Sequence, residues 1–354
     1  LNLDNLDRIA KIDTKNMLES INRFPEHIEE IIEKVQKSDI VSLSLTDLSP
    51  NKVVILGMGG SAISGDILEA WCNDLTNICI KTVRDYSIPE FVDKNTLVFV
   101  CSYSGNTEET LSSVKEAISR KARIIGITSG GKIKKLCEEY HAPVITIPSG
   151  LAPRAAMAYL FFPIVVILEK LNKITLKTEL PDMIFDIKYL KDSLKPEIPT
   201  ENNEAKKIAL ELSNGIPFIY GHTYLNVIAY RWKTQLNENA KVIAMSGEIP
   251  EMHHNEIVGW SGDNQEIAKR FVVVLFRSED EHPRVTKRLD LTKKMLKAMT
   301  ANVLEVQAKG SSRLSRMIST MYLGDYISVY LALLRELDPT PVIPIERFKK
   351  LMKD

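Results

Sequence analysis

No uninterrupted apolar run in this sequence reaches the length of a membrane span. The longest such run, Ala155 to Leu168, has 14 residues and contains Pro163. A spanning helix takes about 20 residues, so the run reads as a buried helix. The opening Leu1-Asn2-Leu3-Asp4 has no basic flank ahead of an apolar segment, and no secretory leader is expected there. Cysteine is scarce, with four residues (Cys72, Cys79, Cys101, Cys137) and no Cys-x-x-Cys pair. That argues against a zinc ribbon or a disulfide scaffold and suits a reducing cytoplasm. Neither sign of charge is in excess, 46 Lys and Arg standing against 46 Asp and Glu. The electrostatic footprint of a nucleic-acid binder or of a protein held on an anionic membrane is therefore missing. Glycine is thin as well, 16 residues in all, yet nine of them lie between Gly57 and Gly150. A flexible residue concentrated in one region suggests loops where backbone approaches a ligand closely. What is plentiful is apolar content, 44%, enough for a large core and too much for a disordered chain. A length of 354 residues fits two domains of ordinary size.

The periodicities alternate along the chain. Residues 13–37 read as one mostly polar helix with Ile21, Phe24, Ile28, Ile31 and Ile32 on its apolar face. Short apolar strands follow at Lys52–Leu56, Cys79–Val83, Leu97–Cys101, Arg123–Ile127 and Val144–Ile147, separated by helical stretches, and Pro153–Lys170 reads as a long apolar helix. Strands that are apolar throughout indicate a parallel sheet covered on both faces. Pro181, Pro196 and Pro199 then punctuate a Lys-rich stretch around a helix at Asp182–Leu194. Alternation resumes with strands at Pro217–Tyr220, Val242–Met245, Phe271–Phe276 and Val303–Val306, a long helix running to Glu238 or beyond, and a dense apolar helix at Leu314–Leu337. The opening strand–turn–helix recurs, Ile55–Ala62 against Phe218–Leu225, an offset of 163 residues. The expected fold class is α/β, with two doubly wound parallel-sheet subdomains and flanking helices. The expected boundaries are 1–170 for the first, 171–200 for the connection and 201–354 for the second.

Two segments of the first half carry the chemistry of an anion site. Gly57-Met58-Gly59-Gly60-Ser61-Ala62 follows a strand and opens a helix, and so does Ser102-Tyr103-Ser104-Gly105-Asn106-Thr107. In a doubly wound sheet both would stand at the carboxyl ends of strands, where ligands bind. A helix start offers free N–H groups and partial positive charge. Ser61, Ser102, Ser104 and Thr107 add hydroxyl donors. Neither segment holds Lys or Arg, which fits a single phosphate better than a polyphosphate with a metal. Three other readings compete. Gly57-x-Gly59-x-x-Ala62 satisfies the loose dinucleotide fingerprint, but Asp85 comes later than the acidic residue that motif requires. A P-loop fails because Gly65 is followed by Asp66. Taken singly, either segment would pass for tight turns and helix caps; two hydroxyl-rich caps in one sheet favour phosphate.

Together Gly57–Ala62 and Ser102–Thr110 resemble the sugar isomerase (SIS) domain. With Pro153-Arg154-x-Ala156, Glu238-Asn239-x-Lys241 and the segment Gly247–Glu256, the chain resembles the bifunctional phosphoglucose/phosphomannose isomerase family. The likeness runs from the first strand through Asp338-Pro339-Thr340-Pro341 to the last helix. The resemblance implies aldose–ketose isomerisation of hexose 6-phosphates. Gly59, Gly60, Ser61, Ser102, Ser104 and Thr107 would form the phosphate site. The reaction moves a proton between C1 and C2, so it needs a base, a cation near the developing enediolate, and an acid/base pair to open the ring. By composition Glu238 reads as a solvated helix-end residue, since glutamate is almost always exposed; the resemblance makes it the base, a role partial burial would favour. A positive residue in a first helical turn opposes the helix dipole, which tilts Arg154 towards function, and the resemblance assigns it to the enediolate. His253 and His254 read as loop residues or as part of a metal site for which no third ligand cluster is visible; the resemblance selects His254 for ring opening. On the terminal helix it places a lysine beside that histidine. The Phe-Lys step favours Lys349, with Lys350 adjacent. Thr340 falls where the family has a small residue that leaves room for both C2 epimers.

No cofactor and no metal are expected, and the balanced charge leaves no nucleic-acid or membrane partner to expect. The resemblance implies sugar-phosphate substrates and a homodimer in which His254 is shared across the interface. The competing class is a non-catalytic sugar-phosphate sensor, for which the first fifty residues are too short and too acidic to hold a helix-turn-helix. An aminosugar isomerase is a further rival; no amidotransferase region or N-terminal nucleophilic cysteine accompanies the SIS-like segments.

Overall fold

The sheets form from runs in which almost every residue is apolar. Lys52–Leu56 (β1) buries its last four residues and Thr96–Cys101 (β3) buries all six. Burying a Val, Leu, Ile or Phe side chain completely contributes about 1.5–3 kcal/mol, so these strands are stable only in the centre of a covered sheet. The computed structural model describes residues 2–40, 49–176, 178–262 and 265–352. The chain divides into two compact units. Arg23–Ile184 forms one, and the chain up to Asn22 and from Phe185 onward forms the other. The changeover falls inside the proline-punctuated stretch, within the helix Glu179–Leu194.

In the unit Arg23–Ile184, β1 and β3 lie with Cys79–Val83 (β2), Arg123–Thr128 (β4) and Val144–Thr146 (β5) in the order β2-β1-β3-β4-β5. Every pairing is parallel. The connections reverse direction between β1 and β3, and that is the switch point at which doubly wound sheets open a crevice. The apolar run seen in the sequence becomes the helix Met157–Lys170, with residues 157–168 all buried. Pro163 sits inside it and removes one backbone hydrogen bond, a defect of about 3 kcal/mol that this burial outweighs. The helix Phe24–Gln36 packs against it, and the Tyr159 hydroxyl donates to Glu30 at 2.9 Å.

The expected helix over 13–37 is two helices, Met17–Asn22 and Phe24–Gln36. Pro25 has no N–H to donate to the preceding turn, and the break at Arg23 places it in the first turn of the second helix, where the missing donor costs least. The break lies where the two units meet in sequence.

The other unit repeats the topology with one strand fewer. Ile216–His222 (β6), Met245–Ile249 (β7), Phe271–Arg277 (β8) and Asn302–Gln307 (β9) lie in the order β7-β6-β8-β9, all parallel. This is the order β2-β1-β3-β4 again, so the 163-residue offset marks a repeated topology. Its core helix is Arg313–Leu334. That helix is long and apolar enough to span a membrane, but 94% of its most apolar window is buried within the protein, as in a core helix. Trp232 Nε1 donates to the Thr320 carbonyl of this helix at 2.8 Å, and Arg231 pairs with Asp325 at 3.2 Å. The N-terminal segment is tied to this unit. Lys206, fully buried, donates to Asp4 at 2.9 Å and to the carbonyls of Pro196 and Ile198 at 2.8 Å each.

Candidate active site

The phosphate-type segments fold as the sequence leads one to expect. β1 ends at Leu56 and the helix Gly59–Cys72 begins three residues later. This helix start has no side-chain cap and no acidic residue in its first turn, so no carboxylate of that turn offsets the positive end of its dipole. β3 ends at Cys101, and the chain turns through Ser102–Thr107 into the helix Glu108–Ser119. That helix carries Glu108 and Glu109 in its first turn, which opposes an anion there. Of the two helix starts the first is therefore the more favourable to an anion, and the second segment carries hydroxyls beside it. Tyr103 N–H donates to Ser61 Oγ at 3.3 Å, joining the two loops. Ser102 Oγ and Thr107 Oγ1 share a hydrogen bond of 3.0 Å, and Asn106 N–H donates to Ser104 Oγ at 3.3 Å. Ser61 and Ser102 are buried while Ser104 is exposed.

Arg154 belongs to the same neighbourhood. It sits in the short turn Pro153–Ala155 that precedes the helix Met157–Lys170 and is buried. Its backbone runs against Gly60: a Cβ placed on Gly60 would lie 3.1 Å from Arg154 Cα and 3.2 Å from its N. The crevice between β1 and β3 thus gathers Gly59, Gly60, Ser61, Ser102, Ser104, Thr107 and Arg154.

Glu238, His254, Thr340 and Lys349 lie in the other unit. The helix Asn226–Gln235 does not run on regularly to Glu238; it widens into a π-turn over Leu236–Ala240. Turns of this kind are frequent at functional sites. Glu238 is half-buried on this turn. Asn239, fully buried, donates from Nδ2 to Ser328 Oγ at 2.9 Å, and Gln235 donates to Asp325 at 2.6 Å. The core helix thereby fixes the turn on two rungs. The turn ends at Lys241 with φ 55° and ψ 36°, a left-handed conformation that costs a residue with a Cβ about 1–2 kcal/mol.

His253 and His254 separate cleanly. His253 Nε2 is 2.7 Å from Thr292 Oγ1 and its Nδ1 is 3.2 Å from the Pro250 carbonyl. Burial holds the His253 pKa below the usual histidine range. His254 is exposed at the end of the turn Glu251–His254, after the edge strand β7. Among the described residues, no three His, Cys, Asp or Glu side chains converge as a metal cluster would. Thr340 is half-buried, its N–H donating to Asp338 Oδ1 at 2.9 Å. Lys349 and Lys350 stand on the helix Ile343–Leu351, which has no buried residue.

The second switch point, between β6 and β8, is occupied by the protein itself. Asp280 accepts from Tyr224 Oη at 2.6 Å, from Ser278 Oγ and from Arg316 at 2.8 Å. Burial raises the Asp280 carboxyl, but these hydrogen bonds and the guanidinium outweigh it and hold it below the usual carboxylate range. Glu281 accepts from the Ser278 N–H at 2.7 Å. Where the first unit has a helix start with no side-chain cap and no acidic first turn, this one presents its own hydrogen-bonded carboxylates. The residue that sequence reasoning passed over is Lys241, quoted in the Glu238-Asn239-x-Lys241 motif without a task. Its Nζ donates to the carbonyls of Glu238 at 2.9 Å, Asn239 at 3.0 Å and Pro339 at 2.6 Å.

Residues 48–148 match the SIS domain family model, and residues 201–352 match that of the bacterial phospho-glucose isomerase C-terminal SIS domain. Fold and matches together define a protein built of two SIS domains. Over 340 residues the chain is 42% identical to the bifunctional phosphoglucose/phosphomannose isomerase of Caldicellulosiruptor bescii, covering 96% of this chain and 99% of that one. It is 39% identical over 310 residues to the enzyme of the same name from Aquifex aeolicus, covering 87% and 92%. Among solved structures, a hypothetical protein from Thermus thermophilus shares the fold with a TM-score of 0.76 at 15% identity, covering 98% of this chain and 93% of that one. The chain belongs to the bifunctional phosphoglucose/phosphomannose isomerase family.

Proposed function

We propose that this protein interconverts fructose 6-phosphate with glucose 6-phosphate and with mannose 6-phosphate. It is an aldose–ketose isomerase with sugar phosphates as substrates. The observation that carries this reading is the 42% identity over nearly the full length of both chains. In the mechanism we favour, Glu238 takes the proton from one of C1 and C2 and returns it to the other through a cis-enediolate. A carboxylate on a half-buried turn braced by buried hydrogen bonds is suited to general-base work. Arg154 stabilises the enediolate with a charge it keeps at every working pH. His254 and Lys349 open the ring, Lys350 being the neighbouring alternative. Gly59, Gly60, Ser61, Ser102, Ser104 and Thr107 hold the phosphate, and Thr340 leaves room for either epimer at C2. No metal or cofactor enters the scheme.

The working form is a cytoplasmic homodimer with His254 supplied to the partner's site. Cytoplasmic residence is supported by four free cysteines. Dimerisation is supported by the amphipathic terminal helix, which leaves Ile343, Phe348 and Leu351 exposed. The test is incubation of the purified protein with fructose 6-phosphate and separation of the aldose phosphates. Formation of both is expected. Saturable binding without turnover would make the protein a sugar-phosphate sensor instead.

A further inference from the structure

Lys241 uses its side chain in a way that nothing in the reaction scheme yet employs. A lysine ammonium has three donors, and three backbone carbonyls, those of Glu238, Asn239 and Pro339, lie within 3.0 Å of Nζ. The end of a helix leaves its last carbonyls without intrahelical partners. A glycine in the left-handed conformation is the ordinary residue at such an end. Here the left-handed residue is Lys241, with φ 55°. The backbone at this point favours glycine, and the side chain that glycine lacks is the one that gathers the carbonyls.

The three carbonyls belong to two segments distant in sequence, Pro339 lying 98 residues beyond Lys241. One is the π-turn with Glu238. The other leads directly into Thr340. Each segment has its own separate anchor. On the first side, Asn239 donates to Ser328 and Gln235 to Asp325. On the second, Thr340 N–H donates to Asp338, whose other oxygen accepts from Thr14 Oγ1 at 2.5 Å. The loop after Lys241 is also held, Ala244 N–H donating to Asn237 Oδ1 at 3.0 Å. Removing the ammonium therefore leaves both segments folded and cuts a direct link between them.

We propose that Lys241 is a positioning residue that fixes the turn carrying Glu238 against the Pro339–Thr340 segment, and so sets how the isomerase partitions its intermediate between the two C2 epimers. This rests on the functional reading given above. Glucose and mannose 6-phosphates differ only at C2, and the shared enediolate is reprotonated there from one face or the other. A base whose distance to the neighbouring wall is fixed by one ammonium has its choice of face fixed with it. The equilibrium ratio of the products is a property of the sugars. The ratio of initial rates is a property of the site, and it is the quantity Lys241 governs.

Three variants separate the ammonium from the backbone. Lys241→Met keeps the apolar stem, Lys241→Gly relieves the left-handed backbone, and Lys241→Arg restores a cation with several donors. Each is assayed from fructose 6-phosphate for kcat, KM and the ratio of initial glucose to mannose 6-phosphate formation, with Tm measured alongside. For Met and Gly, kcat is expected to fall about tenfold, as for a displacement of a few tenths of an ångström in a positioned group. The initial ratio is expected to move by about twofold or more while KM stays within about twofold, because transition-state placement is altered and ground-state binding is not. Arg is expected to recover most of both effects. If wild type forms both aldoses and the Met and Gly variants match it in kcat and ratio, the positioning role is overturned and the isomerase reading stands. A kcat loss that only tracks lost folded protein, with the ratio unchanged, also overturns it. If wild type forms neither aldose, the isomerase reading falls and this inference falls with it.

Discussion

Gly60 and Arg154 meet backbone to backbone, so that a Cβ on Gly60 would stand 3.1 Å from Arg154 Cα. Arg154 is rooted in the short turn Pro153–Ala155 rather than on the tip of a flexible chain, and its main chain yields less readily than a side-chain end. Gly59, one residue earlier, is a different case: φ is +50° and nothing lies within 4 Å of its missing Cβ. Two neighbouring glycines thus serve two purposes, one for space and one for backbone conformation.

Gly60→Ala is expected to push the Arg154 turn outward by a few tenths of an ångström and lower kcat about tenfold. Global stability should change by less than about 1 kcal/mol, since alanine favours the helix it enters. Gly59→Ala should do the reverse, costing about 1–2 kcal/mol from the left-handed backbone with a smaller effect on kcat. Steady-state kinetics and thermal melts of the pair decide. Equal kinetics in the two variants would remove the claim that Gly60 makes room for Arg154.

Glu238→Gln keeps the shape of the side chain and removes only its basicity. The hydrogen bond from Lys241 goes to the Glu238 carbonyl, not the carboxylate, so the turn should persist. Isomerisation is expected to fall by about three powers of ten, within the range for a lost general base. A non-isomerisable linear hexose phosphate analogue should bind within about twofold of wild type. Activity within tenfold of wild type would place the base on another residue.

Most of the fold was legible because its central strands are continuously apolar, and continuous burial leaves that mark. Where burial is partial the signal misleads. The strand expected at Val242–Met245 is instead β7, Met245–Ile249, an edge strand in which only Ile249 is buried. The apolar Ile243 that suggested the earlier position is a solvent-exposed loop residue. The π-turn at Leu236–Ala240 was equally hidden, since one added residue per turn does not disturb an apolar stripe that has already ended. Of the site, the hydroxyl loops could be read from strand–loop–helix order alone. The task of Lys241 could not, because Pro339 is distant in sequence and contributes only a carbonyl.

His222 gives the stability a pH dependence that can be tested apart from catalysis. It is buried at the end of β6, and burial holds its pKa below the usual histidine value despite the opposing pull of Glu281 and Asp280; Arg277 adds to the lowering. Glu281 lies 3.7 Å from Nε2, but desolvation wins and the native imidazole is neutral. The unfolded chain binds the proton more readily, with a histidine pKa of about 6.5, so the native state loses ground as pH falls. The stability tied to His222 is present above that value and is lost as pH drops through the folded-state pKa. His253 acts in the same direction. Asp280 titrates below this window. The buried Asp13 carboxyl, raised by burial, acts in the opposite direction, and its effect is common to both proteins compared. Between pH 7.5 and 5.5 the fall in Tm is therefore expected to be smaller for His222→Gln than for wild type. Parallel curves for the two would mean that His222 is not the buried neutral group described here.

The final expectation concerns His254, exposed after the edge strand β7 and proposed to complete the partner's site. Two inactive variants, Glu238→Gln and His254→Ala, are mixed under conditions in which subunits exchange. If His254 acts in trans, a mixed dimer has one site with both lesions and one site with none. Random pairing makes about half of the dimers mixed, so about a quarter of all sites should regain activity in a two-fold symmetric assembly. If His254 serves its own chain, every site retains one lesion and no activity returns. Exchange is verified separately by mass-tagged subunits, so a silent mixture with proven exchange would refute the shared site. It would leave untouched the roles of Glu238 as base and His254 as ring opener, because each single variant would still be inactive for its own reason.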